Sequence, residues 1–292
     1  MKLSEIFKNK SPAISFEIFP PRTTKAINDL EERLPKLISL NPDFITVTYG
    51  ALGSNREQTL EITSQLKNHY KMETAHHLTC VGSTRDELTE ILNQIQAHNI
   101  ENIIALRGDP PKGASTFVQP RNGYLHANEL IEHIRRHGEF GIGVAGYPET
   151  HTEASSSKMD LLNLKSKVDS GADVVITQLY YDNQHYYQFL ARCRALGITQ
   201  PIIPGLMPIL SFEQIKRITT MCGATIPAFL LKAMEQAGDN VSKIQEIGIS
   251  HTANQALDLL RNGVPGIHFY VLNQHFHIAE IMDRIKSSLP EN

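Results

Sequence analysis

The chain has 292 residues, of which 41% are hydrophobic and 20% charged, a composition typical of one large α/β domain or two smaller ones. Its formal net charge of −3 argues against nucleic acid or an anionic membrane as a partner. The three cysteines form no C-x-x-C pair, and no segment resembles a signal peptide or a membrane span, so we expect reduced thiols and a soluble, cytoplasmic protein.

Short apolar segments rich in β-branched residues recur along the chain, with helical patterns between them. The predicted strands are AISFEIF (13–19), FITVTYG (44–50), TAHHLTC (74–80), NIIALRG (102–108), GIGVAGY (141–147), VVITQLYY (174–181), PIIPGLM (201–207) and GIHFYVLN (266–273). The segments between them repeat apolar residues every three or four positions, and Ser83 and Thr84 precede one of them as helix caps.

Strands that each precede a helix, in a chain of this length, predict an α/β fold of the (β/α)8 barrel type. A doubly wound sheet is the alternative. No linker or composition shift divides the sequence, so we predict a single catalytic domain over residues 1–292. Two short extra helices are expected in residues 226–238 and 241–263, before the last strand.

The glycines Gly141, Gly143 and Gly146 form a G-x-G-x-x-G motif, but the context argues against a dinucleotide fingerprint. That fingerprint follows a strand and opens a helix, whereas here a helical pattern precedes the glycines and the loop YPETH follows them. We expect instead that the glycines allow a flat group to approach a barrel strand.

Polar residues gather at the carboxyl ends of the predicted strands, where (β/α)8 enzymes carry their active sites. Glu17 is the least expected of them, because an unpaired carboxylate is costly to bury in an apolar strand. The apolar surroundings are expected to raise its pKa, which would keep a proton available near neutral pH. The others are Thr48, Tyr49, His77, Arg107, Asp109, Tyr147, His151 and Gln178.

A metal-dependent hydrolase and a nucleophilic hydrolase fit this set less well. His76 and His77 are adjacent on a strand and point to opposite faces, so they cannot both bind one metal ion. No G-x-S-x-G motif or Cys–His pair is present. A wide cleft with a basic residue, carboxylates, an aromatic and an amide suits a large polar ring system better, and no metal site is predicted.

Asp160, Asn163 and Lys167 form a polar stripe on the helical segment that follows the fifth strand. A solvated helix face is the ordinary interpretation of such a stripe. Its place beside the barrel mouth keeps open a second one, in which these side chains hold a ribose and a phosphate.

Nine motifs in order, FEIFPPRT, VTYGA, HLTC, LRGDPP, YPETH, DLLNLKSKVDSGA, ITQLYYD, IPGLMPI and HFYVLN, resemble the bacterial type of methylenetetrahydrofolate reductase over residues 13–285. The resemblance implies an FAD-binding (β/α)8 barrel without a Rossmann fold or a regulatory domain. It implies ping-pong reduction of 5,10-methylenetetrahydrofolate by NADH or NADPH, which feeds one-carbon units to methionine synthesis. Small-molecule substrates, a homo-oligomer and no nucleic-acid or membrane partner are expected.

The same resemblance assigns roles to individual positions. Glu17 becomes the general acid that opens the methylene bridge, and Asp109 lies near both flavin and pterin. Thr48, Gln178 and Gln214 contact the substrates. The implied FAD-binding residues are Tyr49, Ala51, His77, Arg107, Gly108, Asp109, Ala127, Tyr147, His151, Ala154, Asp160, Asn163 and Lys167.

Three positions depart from the pattern of the family. Ser166 and Gln274 stand where relatives carry arginine, and Ile218 replaces an aromatic residue. The resemblance implies that these three positions contact, in that order, a cofactor phosphate, the glutamate tail of folate and the nicotinamide cofactor. A flavin barrel without reductase activity or of the proline-dehydrogenase type, and a metal-dependent hydrolase barrel, remain as alternatives.

Overall fold

The computed structural model describes residues 1–49, 55–109 and 119–288. Its strands are β1 (Ala13–Ile18), β2 (Phe44–Val47), β3 (Thr74–Thr79), β4 (Asn102–Leu106), β5 (Gly141–Gly146), β6 (Val174–Thr177), β7 (Ile202–Ile203), β8 (Gly205–Leu206) and β9 (Gly266–Tyr270). They form one sheet in the order β7-β6-β5-β4-β3-β2-β1-β9-β8, and every pairing in it is parallel.

The sheet closes because β7 and β8 are two parts of one predicted strand, separated by Pro204. A proline has no N–H to give to a ladder, so the strand is interrupted there. β7 pairs with β6 on one side and β8 pairs with β9 on the other, and the Pro204 carbonyl accepts from the His268 N–H at 2.9 Å. The predicted (β/α)8 barrel is confirmed.

The helices follow the strands in the expected alternation. They are α1 (Leu3–Asn9), α2 (Thr24–Ile38), α3 (Arg56–Ser64), α4 (Arg85–Ala97), α5 (Ala127–His137), α6 (Ser157–Asp169), α7 (Asn183–Ala195), α8 (Phe212–Cys222), α9 (Ala228–Ala237), α10 (Val241–Arg261) and α11 (His275–Ser288). A π-helical turn, Gln65–His69, continues α3. Thr84, rather than Ser83, caps α4 and forms a capping box with Glu87. Within the described ranges, no helix has the length and apolar character needed to cross a bilayer.

The extra helices before the last strand are α8 and α9, and the expected position of one of them needs correction. α9 lies where a short helix was predicted, but the segment from 241 onward forms α10, which has 21 residues. α10 packs against α7 and α11 and buries apolar residues along its whole length. It therefore occupies the ordinary position of a barrel helix, and the two short helices precede it.

The helix α1 closes the amino-terminal end of the barrel and was not predicted from the sequence. Leu3 and Ile6 are buried among the inward-facing strand residues, and the Leu3 N–H donates to Asn102 Oδ1 at 2.7 Å. A Cβ atom on Gly141 would lie 2.9 Å from the Leu3 nitrogen. Gly143 likewise packs against the Ile104 side chain. The expectation that a flat group approaches the glycines is therefore wrong for Gly141 and Gly143, where α1, Asn102 and Ile104 take the space. At Gly146 a flat group does approach, since an added Cβ would lie 2.9 Å from the Phe189 ring.

Residues along each strand alternate between the barrel interior and the helices, and this alternation points the functional side chains inward. On β1, Phe16 and Ile18 are buried in the cluster that contains the barrel helices. Ser15 and Glu17 take the opposite face. The register pairs Ser15 with His268 and Glu17 with Tyr270, so β1 and β9 bring four polar side chains to one side of the sheet.

We predict that Gly248→Ala in α10 destabilises the fold, although this exchange usually stabilises a helix interior by about 1 kcal/mol. The added Cβ would lie 2.3 Å from the Ile209 carbonyl oxygen and 2.9 Å from its Cβ. We expect the free energy of unfolding in urea to fall by about 2 kcal/mol, as in an overpacked core. Asn254→Ala, on the exposed face of the same helix, is the control and should be neutral or slightly stabilising. A gain in stability for Gly248→Ala would show that this contact relaxes at no cost.

Candidate active site

A cavity of about 540 Å³ opens at the carboxyl ends of the strands. Its lining includes Glu17, Thr48, Tyr49, His77, Arg107, Gly108, Asp109, Tyr147, His151 and Gln178, all of which the sequence predicts as site residues. Most of them lie just beyond the last residue of a strand, because the strands end earlier than their apolar patterns predict. The volume is within the usual range for the binding site of a small molecule.

Glu17 lies deep in this cavity between two histidines. Its Oε2 atom is 3.3 Å from His77 Nε2 and 3.5 Å from His268 Nε2. His268 is fully buried, and its other ring nitrogen, Nδ1, is 2.8 Å from Ser15 Oγ. Thr46 Oγ1 completes the surroundings with a long contact of 3.4 Å to the same carboxylate oxygen. Ser15, Glu17, His77 and His268 thus form a connected polar group, which we call the Glu17 cluster.

The pKa of Glu17 is opposite to the sequence-based expectation. Burial acts to raise it, but the neighbouring His77 and His268 imidazoles outweigh burial and lower the pKa from 4.5 to about 2. The carboxylate is therefore ionised near neutral pH in the absence of ligands. The expectation was wrong because it considered only the apolar strand and not the histidines that the barrel brings to Glu17.

His76 and His77 point to opposite faces, as predicted. His77 lines the cavity, whereas His76 faces outward, with its ring centroid 5.8 Å from that of Tyr49. Neither ring nitrogen of His76 has a hydrogen-bond partner among the described residues, and burial lowers its pKa to about 3. His76 is therefore neutral, and its role is packing.

One wall of the cavity is apolar and was missed by the sequence analysis except for Ile218. It consists of Leu179, Met207, Ile218, Met221 and Cys222, which come from the ends of β6 and β8 and from α8. Tyr270 lies beside it and donates its hydroxyl to the Thr177 carbonyl at 2.7 Å. The sequence could have indicated His268 and Tyr270 as site residues, because two-residue alternation along β9 places Gly266, His268 and Tyr270 on the same face of the strand. Nothing in the sequence indicates which face of α8 the cavity uses.

A second cavity, of about 370 Å³, lies beside the first, at α5 and α6. It contains the predicted residues Ala127, Asp160, Asn163 and Lys167, together with His126 and Ser166. The two cavities share the wall residues Leu106, Arg107, Ala145, Tyr147 and His151. An elongated ligand could therefore occupy both.

The polar stripe of α6 lines this second cavity, with Asp160 and Lys167 partly buried and Asn163 also exposed to solvent. Lys167 Nζ donates to the Ala145 carbonyl at 2.5 Å and lies 5.9 Å from the centroid of the Tyr147 ring. Burial lowers the pKa of Lys167 to about 8 and raises that of Asp160. Asp160 also accepts from the His151 N–H at 3.1 Å. Desolvating this cation lowers the stability of the fold, and the cation is placed where it can pair with an anionic ligand. Both observations favour the binding interpretation of the stripe.

Arg107 lies where the cavities meet and forms a two-pronged ion pair with Glu153. Its Nη1 and Nη2 atoms are 2.7 and 2.8 Å from the two carboxylate oxygens, and Nε donates to the Gly108 carbonyl at 3.1 Å. The carboxylate raises the pKa of Arg107, and the guanidinium lowers the pKa of Glu153. Glu153 was not predicted as a site residue.

Three predicted site residues lie outside both cavity linings or cannot be placed. The Gln214 amide accepts from the Leu210 N–H at 2.8 Å and contacts Met207 Sδ at 3.6 Å, so it is engaged at the start of α8. Ala154 lies in the turn after His151 and donates its N–H to the carbonyl of that residue. Ala51 lies outside the described residues. Their roles stay predictions.

Two of the three positions that depart from the family pattern line the cavities, and Gln274 lies in neither lining. Ser166 lines the second cavity and Ile218 the first. Gln274 follows β9 and donates its N–H to the Val271 carbonyl at 2.8 Å. In the part of the chain that the structure describes, no group of three or more His, Cys, Asp or Glu side chains has metal-site geometry.

The sequence matches the family model described as methylenetetrahydrofolate reductase over residues 2–286. It is also 39% identical to 5,10-methylenetetrahydrofolate reductase of Escherichia coli (strain K12) over 261 residues, which cover 89% of this chain and 86% of that protein. The chain belongs to the methylenetetrahydrofolate reductase family. The resemblance inferred from the sequence motifs is confirmed.

Plant members of the methylenetetrahydrofolate reductase family are longer. Methylenetetrahydrofolate reductase (NADH) 1 of Arabidopsis thaliana is 39% identical over 283 residues, which cover 93% of this chain and 48% of that one. The chain thus spans about half the length of the plant relatives that it matches.

Solved structures of low sequence identity share the fold. A protein from Clostridium thermocellum described as binding two copies of 5-methyl-5,6,7,8-tetrahydrofolic acid is 16% identical, with a TM-score of 0.66 and 98% of both chains covered. Oxaloacetate acetylhydrolase is 10% identical, with a TM-score of 0.52 and 92% of this chain covered. At these identities the likeness supports the barrel and carries no statement about activity.

Proposed function

We propose that this chain reduces 5,10-methylenetetrahydrofolate to 5-methyltetrahydrofolate, with NADH or NADPH as reductant and bound FAD as the hydride carrier. The observation that carries the proposal is the Glu17 cluster at the base of a large cavity, in a member of the methylenetetrahydrofolate reductase family. The product would supply methyl groups for methionine synthesis.

The residues present fit FAD, which supplies reversible hydride uptake when bound. A dinucleotide has a ring system at each end and an anionic diphosphate between them. The wide first cavity matches the larger ring system, and Tyr49, His77, Gly108 and Asp109 would surround it. The second cavity, with Ala127, Asn163 and the cation Lys167, would hold the adenosine part and the phosphate next to it. Asp160 and His151 would support that end, with Arg107 and Tyr147 at the junction.

The chemistry asked of the protein is to place a proton on the folate as its methylene bridge opens. Glu17 is the proposed general acid, and its ionised state in the absence of ligands requires that a proton reach it from a neighbour. His77 and His268 are within 3.5 Å and can share that proton. Burial already acts to raise the pKa of Glu17, and ligands that cover the cavity would strengthen this contribution by excluding water.

The remaining polar residues would orient the substrates. Thr48 follows the last residue of β2 and Gln178 follows the last residue of β6, and both line the cavity. Asp109 lines it from the segment after β4. The Gln178 side chain is held by the Leu179 N–H, which donates to its carbonyl oxygen at 2.8 Å. The apolar wall that includes Ile218 and Met221 would contact the less polar faces of the nicotinamide nucleotide and of the folate, which would bind there one after the other.

The proposal predicts a yellow protein whose flavin is bleached by NADH or NADPH without oxygen and is restored by methylenetetrahydrofolate. Because one cavity must serve both substrates, initial rates at several fixed folate concentrations should give parallel double-reciprocal lines. Intersecting lines would contradict the shared site. Bleaching by proline instead of a nucleotide would favour the proline-dehydrogenase type, and a colourless protein that cannot be loaded with FAD would contradict the proposal.

A further inference from the structure

The ion pair between Arg107 and Glu153 occupies the junction of the two cavities. Arg107 lines both cavities, whereas Glu153 lines only the first. The pair is therefore on the route that any ligand must follow to fill both spaces. The function proposed above explains Arg107 as a cofactor contact but leaves the role of Glu153 open.

A dinucleotide that fills both cavities brings its diphosphate to this junction. Each end of the ligand needs one of the cavities for its ring system, so the anionic middle must pass Leu106, Arg107 and Tyr147, which both cavities share. The guanidinium is the cation among these shared residues. Arginine recognises phosphate oxygens with the same two-pronged geometry that it uses for a carboxylate. Glu153 and the diphosphate thus require the same two N–H groups.

Glu153 is the more movable member of the pair. Its side chain is 48% exposed, compared with 23% for Arg107. The Arg107 guanidinium is held by Nε, which donates to the Gly108 carbonyl, and it lies at the end of a barrel strand. Glu153 is on the turn after His151 and donates its backbone N–H to His151 Nδ1 at 3.1 Å. Its carboxylate can swing into solvent without disturbing the core.

We propose that Glu153 is an internal competitor for Arg107, whose carboxylate the diphosphate of FAD displaces when the flavin binds. The inference rests on the proposed function. It adds that the chain binds FAD less tightly than it would without the carboxylate of Glu153. In the absence of flavin, the carboxylate neutralises Arg107 and satisfies its N–H groups. With flavin bound, Glu153 remains near the diphosphate as a like charge.

The test is the dissociation constant of FAD for the full chain and for Glu153→Gln, obtained from dilution series of the FAD-loaded proteins by recovery of free-flavin fluorescence. We expect about three- to tenfold tighter binding in the variant, the range of a partly exposed ion pair together with a nearby like charge. The gain should shrink as salt is raised, because screening weakens both contributions. Glu246→Gln is the control, since it removes an equally two-pronged pair, with Arg284, outside both cavities.

Equal affinity of the parent and Glu153→Gln would overturn the inference, and so would weaker binding, which would mean that Glu153 holds Arg107 in place for the flavin. If Glu153→Gln does not fold, Glu153→Asp replaces it. Aspartate keeps the charge but shortens the reach, so a smaller gain in affinity is expected, and no gain would overturn the inference. A parent chain that cannot be loaded with FAD would overturn the proposed function, and the competitor role with it.

Discussion

Glu17→Gln is expected to slow the reduction of methylenetetrahydrofolate by about 10²–10⁴-fold, the usual contribution of a positioned general acid. The amide keeps the size and polarity of the side chain but cannot deliver a proton. Reduction of the flavin by NADH should keep a near-native rate, because that hydride transfer needs no acid at this position. Stopped-flow measurement of the two half-reactions, with FAD content determined for each protein, checks the expectation.

The outcome separates three roles of the carboxylate. If both half-reactions slow equally, Glu17 organises the flavin or the barrel instead of supplying a proton. If neither slows, the carboxylate is structural. Asp173→Asn is a suitable control, because Asp173 is a partly buried carboxylate paired with Arg135 just before β6, outside both cavities. It should lower stability without separating the two half-reactions.

The effect of Glu17→Gln on the stability of the fold should also depend on pH. The folded-state pKa of Glu17 is about 2, below its ordinary value of 4.5, so the ionised carboxylate stabilises the fold above about pH 4.5. This contribution is lost as the pH falls from 4.5 towards 2. The difference in unfolding free energy between the parent and Glu17→Gln should therefore shrink over that range.

Lys167→Met is expected to weaken FAD binding by about ten- to a hundredfold, the worth of one charge-assisted contact to a phosphate. It should also raise the stability of the flavin-free chain, by about 1 kcal/mol, because the buried ammonium is removed while its hydrogen bond to the Ala145 carbonyl is lost. Flavin release on dilution and urea unfolding measure the two effects. Opposite changes in binding and stability would be hard to explain by a solvated helix face.

The effect of Lys167→Met on the stability of the fold should depend on pH. Burial lowers the folded-state pKa of Lys167 from 10.5 to about 8, so the cost of the buried charge is fully present below pH 8. Between pH 8 and 10.5 the folded chain loses this proton first, and the cost declines. The stability advantage of Lys167→Met should therefore decrease over that range.

Lys165→Met is the matched control for this experiment. Lys165 is on the same helix and pairs with Asp169 outside both cavities. The exchange removes the same charge and adds the same side chain, and it should leave FAD retention at the parental level. Equal loss of flavin in both variants would mean that net charge, and not the position of Lys167, controls retention.

The sequence by itself determined the barrel and most of its mouth. Apolar segments separated by helical patterns located every strand position, and two-residue alternation correctly turned His77 inward and His76 outward. These inferences succeed because they depend on local periodicity, which burial on one face imposes residue by residue. The gathering of polar residues at the carboxyl ends of strands then follows from the parallel sheet, whatever the details of packing.

Only the tertiary structure decided the electrostatics of the site. Ser15 and His268 are 253 positions apart in the sequence and meet because β1 pairs with β9 when the barrel closes. That contact, with His77 on the other side, reverses the predicted shift in the pKa of Glu17. A local pattern can show that a carboxylate is buried, but the sign of its pKa shift depends on which charges surround it.

The shape of the two cavities was likewise decided only by the tertiary structure. That α6 turns Lys167 into a second cavity, and that Glu153 meets Arg107 at the junction of the two cavities, depends on how helices and loops pack over the strand ends. α1 closes the opposite end in the same way, through contacts with Asn102 and the space left by Gly141. Such contacts join residues far apart in the chain, so their geometry is set by the closed barrel and has no counterpart in the spacing of the sequence.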